Sequence, residues 1–374
     1  MIGALVAIPA ALSAQAELPP QSASDNTGYG TTAAEFLLLG ANARGMALGG
    51  GYAAVATDIG ALYANPGALA LLKRPAIQGS QLQYVAGSKL NWGGLAIPFG
   101  GGSSAIGFQI STFGFDNQPV YTVNNPNGDG SFYSVSETSV AGTLAKNFSD
   151  RFSVGISLKE VSDQLGDVSG HAAAIDFGTH FHSQLGGRAV RFAFSLSNLG
   201  TNMTYSGQAL NTKIARTAPP NGLGGSVPGD SLFTAPFPVS LNSSDWGLPT
   251  IFRVALGYDL WAAKDARLTL LGEFNQMRTN RGAYGGGAEF AADHIGGTAI
   301  GVALRGSYSF NPSLSYNVAG ASYVEPSQDN SAGLAYGAGV SLASKGGFMV
   351  GFDYAWKNMG ILGNVNFYTV TVGW

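Results

Sequence analysis

From about residue 76 to residue 374 the chain alternates with a period of two, the pattern of strands with one apolar face. Residues 152–158 place Phe152, Val154, Ile156 and Leu158 on one side and Ser153, Gly155 and Ser157 on the other. Residues 252–260 place Phe252, Val254, Leu256, Tyr258 and Leu260 opposite Arg253, Ala255, Gly257 and Asp259. Residues 348–356 repeat this with Phe348, Val350, Phe352, Tyr354 and Trp356 opposite Gly351, Asp353 and Ala355. A soluble sandwich would carry Lys, Glu and Thr on its outer face. Here the second face is Gly, Ala and Ser with few charges, which suits the concave side of a filled barrel.

The alternation predicts strands over 76–87, 89–99, 103–115, 131–147, 151–162, 168–182, 188–198, 250–261, 267–278, 281–291, 297–310, 331–343, 346–357 and 361–374. Those fourteen make an even number, as single-chain outer-membrane barrels have. Links from even to odd strands are short, such as "GGGS" and "NFSD". The long links, 116–130, 199–249 and 311–330, all have the other parity and are expected to be external. Both termini are then expected to be periplasmic. In strand two the apolar parity changes at Gly93-Gly94, which predicts a bulge. On the last strand Tyr368, Val370, Val372 and Trp374 share one face, an alternating apolar row with a final aromatic. That row resembles the assembly signal of Gram-negative outer-membrane proteins, so the assembly machinery and outer-membrane lipid are expected partners.

Residues 17–75 do not alternate. They are Gly/Ala-rich with helical patches and are expected to form a plug in the lumen, since fourteen strands enclose more space than wall side chains fill. Asp58 is placed to cap the short apolar helix "IGALYA", and Asn65-Pro66-Gly67 is turn chemistry. Residues 1–16 are apolar and end in Ala14-Gln15-Ala16, an A-x-A pattern that predicts a signal peptide, although the first cationic side chain is Arg44. The expected organisation is therefore 1–16 signal peptide, 17–75 plug and 76–374 barrel: an all-β, 14-stranded antiparallel transmembrane barrel.

Composition narrows the function. Only 11% of the 374 residues are charged and 55 are Gly. No Cys is present, which removes disulfides, thiolate metal sites and cysteine nucleophiles. The net charge of −3 gives no reason to expect a nucleic-acid partner. No G-x-x-x-x-G-K-[ST] and no G-x-S-x-G is present, so neither a phosphate cradle nor an exposed nucleophile is signalled, and an enzyme is not expected. His180, His182 and Asp176 share a strand face at a spacing able to hold a metal. The simpler reading is polar residues near a turn, and no metal or cofactor is expected. The charges with lumen parity are Lys159, Asp176, Arg191, Arg253, Asp259, Glu273, Glu289, Arg305 and Asp353. They form either a polar pathway or an ion-pair ladder that anchors the plug; the ladder is preferred because buried charges need partners.

The run "ARGMALGGGYAAVATDIGALYANPGALALLKRP" resembles the N-terminal signature of PorV/PorQ and the broader FadL-like outer-membrane proteins. The likeness continues through "FYSVSETSVAGTLAKNFSDRFSVGISLKEVSDQLGDVSGHAAAIDFGTHF", "LSNLGTNMTYSGQAL" and "LPTIFRVALGYDL", nearer to PorV/PorQ. Arg44, Gly45, Gly49, Asp58, Asn65 and Pro66 match the plug signature, whereas Gly67 stands where the family usually has Ala. The resemblance implies an accessory role in type IX secretion, with exported proteins as partners. The alternative is FadL-like passive uptake of hydrophobic small molecules, with Phe36, Leu37, Leu38, Leu39 and Leu69 as an apolar pocket in the plug. A purely structural outer-membrane protein is the third reading. The insertion at 211–247, with Leu232, Phe233, Phe237 and Trp246, is the expected partner surface under the secretion reading.

Overall fold

The computed structural model describes residues 28, 30–49, 51–214, 237–279, 282–310, 315–318, 321–324, 333–344 and 347–374. The signal-peptide segment, Leu232 and Phe233 lie outside them. Fourteen antiparallel strands form a closed ring: β1 Ala76–Gln83, β2 Lys89–Phe99, β3 Ser104–Pro119, β4 Phe132–Ser149, β5 Phe152–Leu165, β6 Val168–Leu185 and β7 Arg188–Gly200, then β8 Ile251–Ala262, β9 Ala266–Met277, β10 Ala283–Ala292, β11 Ile300–Phe310, β12 Leu334–Ala343, β13 Met349–Asn358 and β14 Asn364–Gly373. The ring closes where β1 pairs with β14, Ala76 opposite Gly373. Closure leaves the barrel itself no unpaired edge, which allows a sheet to cross lipid.

The two faces of the wall differ as the alternation predicts. Phe108, Leu144, Leu158, Phe194, Leu256, Leu304, Val340 and Phe352 point outward and are exposed. An apolar belt of this extent would be costly in water and is at home in hydrocarbon, so the barrel is a transmembrane one. Aromatic side chains flank the belt. Tyr284, Tyr308, Phe310, Tyr336 and Trp356 lie toward the long-loop end; Phe99, Phe148, Phe152, Trp261 and Trp374 lie toward the short-turn end. Tyr336 stacks on Trp356 with ring centres 4.7 Å apart, and Tyr284 on Phe310 at 5.9 Å. The row Tyr368, Val370, Val372 and Trp374 stands on this outward face. Deleting Trp374 is expected to lower the heat-modifiable, folded fraction of newly made protein severalfold without reducing synthesis. An unchanged folded fraction on unheated gels would contradict that expectation.

The wall is uneven. β3, β4 and β6 run for 16, 18 and 18 residues, whereas β10, β12, β13 and β14 run for 10 each. The extra length projects beyond the belt at the long-loop end, where outward positions on β4–β6 turn polar: Ser136, Thr138, Ser162 and His171. β3 therefore extends past the expected 103–115, and a short strand, Thr204–Gly207, pairs with the start of β6 inside what sequence alone reads as a loop. Residues 84–87 are not strand: β1 ends at Gln83, and a tight turn with Ala86 at φ 53° follows.

The bulge expected at Gly93-Gly94 is absent; β2 keeps unbroken register with both neighbours there. What changes is the inner surroundings. Leu90 and Trp92 point inward and are buried against apolar groups, while Leu95, Ile97 and Phe99 point outward. Register shifts occur instead at Phe115/Gln118, Asn147/Ser149, Ile175/Phe177 and Asp259/Trp261.

The N-terminal segment packs against the inward side of the wall. It holds a 3-10 turn Glu35–Leu38, helices α1 Ala43–Leu48, α2 Tyr52–Val55 and α3 Ala61–Ala64, and a second 3-10 turn Pro66–Leu71. Asn42 starts α1 by accepting from the Gly45 N–H at 2.7 Å, an N-cap. Its first free N–H, on Ala43, donates to Thr369 of β14 at 2.9 Å. Asp58 accepts from Gly60 N at 2.9 Å just before α3. Small wall residues make this possible: Ala54, Ala193 and Ala255 form one contact cluster, with Ala54 from α2 and the others from β7 and β8.

Candidate functional site in the lumen

The N-terminal segment divides the lumen into two compartments separated by a polar layer. Asn42 Nδ2 donates to the Tyr52 hydroxyl at 3.0 Å and to Gln78 Oε1 at 3.0 Å. Tyr52 donates to Asp58 Oδ1 at 2.9 Å, and Arg44 Nη1 reaches Asp58 Oδ2 at 2.5 Å. Arg44 also grips Glu289 of β10 with two bonds, 2.8 and 2.9 Å. Glu289 is 2% exposed and accepts from Arg305 of β11 at 2.8 Å; Arg305 in turn holds Asp353 of β13 at 2.5 Å. Arg267 lies 3.5 Å from Glu289. Three cations and three carboxylates thus neutralise one another and tie the segment to the wall.

The remaining lumen charges form separate groups rather than one ladder. Lys159 pairs with Asp176 at 2.8 Å and donates to Asn198 Oδ1 at 2.6 Å. Asp176 Oδ1 also takes the Asn198 N–H at 2.7 Å, at a residue with φ 61° where β7 shifts register. Arg191 holds Asp259 bidentately at 2.7 and 2.9 Å. Glu273 accepts from the Gly51 N–H at 3.1 Å. His180 donates from Nε2 to the Ala54 carbonyl at 3.0 Å, so it and Asp176 serve different partners. No trio able to hold a metal is found among the described residues.

Asn65, Pro66 and Gly67 form the tightest contact between segment and wall. Asn65 Nδ2 donates to Thr179 O at 3.0 Å and to Ala53 O at 3.3 Å, while its Oδ1 caps Gly67 N at 3.1 Å. Ser153 Oγ donates to Gly67 O at 2.7 Å. A Cβ on Gly67 would come within 2.5 Å of Gly178 O, which gives the Gly at this position a physical reason. Gly45 is tight for a similar cause: a Cβ there would come within 2.9 Å of the Tyr52 ring. Gly49 has φ 43°, where a side chain is strained.

Toward the long loops the segment and wall enclose a cavity of about 400 Å³. Its apolar side is Leu38, Leu39, Met46, Tyr63, Ile251, Met277 and Met359. Its polar side includes Arg253, Glu273 and Lys357. Arg253 lies over the Tyr63 ring, 5.7 Å from its centre, and donates to Ser197 Oγ at 3.3 Å. Lys357 points inward and has no ion-pair partner among the described residues. Toward the short turns a wider vestibule of about 1170 Å³ is lined by Lys73, Arg74, Arg151, His180, His182 and Arg191. Of the apolar pocket read from sequence, only Leu38 and Leu39 line the long-loop cavity. Phe36 and Leu37 are buried beneath the projecting strands, and Leu69 packs with Leu62 and Trp92. Arg267 and Lys357 were overlooked at the sequence level, although their inward parity was there to read. Trp246 is not a free surface: it is half-buried, and its carbonyl takes the Met203 N–H at 2.7 Å.

No protein-family model matches the chain, and no curated protein matches it in sequence. Among solved structures, the Ralstonia pickettii toluene transporter TbuX is similar at 11% identity, over 90% of this chain and 98% of that one, with a TM-score of 0.51. A Pseudomonas aeruginosa FadL homologue is similar at 12% identity, over 89% and 98%, with a TM-score of 0.48. The likeness to TbuX is one of fold.

Proposed function

We propose that this chain is a FadL-like outer-membrane barrel, not an enzyme, that passively admits hydrophobic small molecules, with the long-loop cavity as its entry site. The cavity carries the reading: an apolar wall built half from the N-terminal segment and half from β8–β13, open toward the long loops. Such pockets of convergent apolar groups with few polar anchors are the usual form of small-molecule sites. The lumen charges do not oppose an apolar guest, because most are paired off in the polar layer and around Asp176 and Asp259, away from Leu38 and Leu39. Arg253 and the unpaired Lys357 favour a guest with an anionic end, such as a long-chain carboxylate, over a neutral aromatic. With the long loops outside, both termini are periplasmic.

The secretion-accessory role rests on the 211–247 insertion as a partner surface. Trp246, part of that expected surface, is half-buried and engaged in packing against Met203, which supports uptake over a partner surface there. Binding to the purified barrel in detergent tests the site. A fluorescent long-chain carboxylate is expected to bind saturably, and Lys357→Ala is expected to weaken it about tenfold, roughly 1.4 kcal/mol. A neutral monoaromatic probe should be little affected by that substitution. No saturable binding of either probe would contradict the assignment.

A further inference from the structure

On the projecting strands one cross-strand row faces inward. Phe113 of β3 stands opposite Glu137 of β4, Glu137 opposite Asp163 of β5, Asp163 opposite Gly170 of β6, and Gly170 opposite Tyr205 of the short strand Thr204–Gly207. Two carboxyls are thus direct neighbours across the sheet. The outward positions beside them, Ser136, Thr138, Ser162 and His171, are polar, so the row stands beyond the apolar belt. Asp163 is 0% exposed. Its Oδ2 accepts from the Tyr205 hydroxyl at 2.7 Å, and its Oδ1 has no hydrogen-bond partner. Gly170 makes the reach possible, since a Cβ there would lie 3.0 Å from the Tyr205 ring. Around the pair are Phe36, Phe113, Val161, Met203 and Tyr205.

Neither carboxyl has a cationic partner among the described residues. The titratable groups near them are Glu35 from the N-terminal segment and Tyr205 from the short strand, with His171 of β6 on the opposite, outward side of the sheet. Two carboxylates facing each other among apolar side chains cannot both ionise without a large cost. A proton retained on one of them removes the repulsion.

We propose that Glu137 and Asp163 share a proton and act as a pH-sensitive latch that holds the Thr204–Gly207 strap beside β6, and the N-terminal Glu35–Leu38 turn near it, against the projecting wall at the long-loop end. The strap has one further tie, Tyr205 N donating to Ser243 Oγ at 2.8 Å; next to it Met203 and Trp246 exchange backbone hydrogen bonds, and Ala33 N donates to Gly247 O at 3.0 Å, which joins the N-terminal segment to the same stretch. The sign follows from linkage. Burial, then the Asp163 charge, pushes the Glu137 carboxyl up to about 7 in the closed state, while in an open strap it titrates in the usual carboxylate range. The closed strap therefore binds more protons than the open one. Its hold is full at acidic pH, weakens as pH rises through the range between the two values, and is lost above about 7.

Hydrogen exchange of residues 203–207 in the intact barrel tests this, read as an opening constant after division by the intrinsic exchange rate. The opening constant is expected to rise roughly tenfold to a hundredfold between pH 5 and pH 8, with β11 as a segment that does not change. Glu137→Gln is expected to flatten the profile, and Asp163→Asn serves as the second variant if the first fails to fold. An opening constant independent of pH in the unaltered protein, or an undiminished profile in a folded variant, overturns the latch. So does a calcium-dependent tightening that a chelator reverses, because the pair would then hold a metal ion instead of a proton.

Discussion

Replacing Arg44 by alanine is expected to undock the N-terminal segment while leaving the barrel closed. Arg44 is the cation that joins Asp58 of the segment to Glu289 of the wall, and its side chain is 14% exposed against 2% for Glu289. Removing one member of a buried pair typically costs about 3–5 kcal/mol because the other charge is left uncompensated. Glu289 keeps Arg305 and Arg267, so the loss is smaller, about 2–3 kcal/mol, and falls on docking of the segment rather than on the wall. Limited proteolysis within residues 44–58 should accelerate roughly a hundredfold, with heat-modifiable migration of the barrel preserved. Arg44→Lys should restore only part of the protection, since an ammonium cannot make the paired bonds to Glu289. Protection equal to that of the unaltered protein in the alanine variant would show that the polar layer does not hold the segment.

Gly178→Ala is expected to have a comparable effect through shape alone. A Cβ at Gly178 would sit 2.1 Å from Asn65 Oδ1 and 2.8 Å from Pro66 Cδ; at Gly155 it would sit 2.2 Å from the Pro66 carbonyl oxygen. The Asn65-Pro66-Gly67 turn lies against both glycines, so it cannot yield without giving up the Asn65 bonds to Thr179 and Ala53. Overpacking of this kind costs about 1–3 kcal/mol, and the stranded buried amide adds about 1–3. Gly79 is the matched control. It lies on the outward face of β1, away from the segment, and a Cβ there would meet nothing within 4 Å. Gly178→Ala should therefore lower the thermal midpoint by several degrees while Gly79→Ala leaves it unchanged; equal midpoints would remove the proposed close contact.

The wall was legible in the sequence because lipid outside and small side chains inside impose a strict period of two. Fourteen strands and the parity of their links follow from that single rule. The rule misleads where the inside is also apolar. At Gly93-Gly94 the inward Leu90 and Trp92 gave the look of a parity change, although the strand runs straight. It also stops informing beyond the belt, where both faces carry polar groups. There the ends of β3–β6, the Thr204–Gly207 strap and the Glu137–Asp163 pair became visible only through strand register. The grouping of the charges around Glu289, Asp176 and Asp259 was not legible from parity, because it depends on which strands are neighbours and on where Arg44 enters. The cavity is half built by Leu38 and Leu39, in a segment without period, so its lining could not be read in advance.

Whether this barrel passes small hydrophobic molecules or serves exported proteins is decided by one comparison in a strain lacking the chain. Uptake of a labelled long-chain carboxylate and surface display of exported proteins are measured side by side, with complementation by the unaltered chain and by Lys357→Ala. Loss of uptake with normal display, restored by the unaltered chain and only partly by Lys357→Ala, is the predicted result. Normal uptake with failed display would contradict the channel reading and return the chain to a role in secretion.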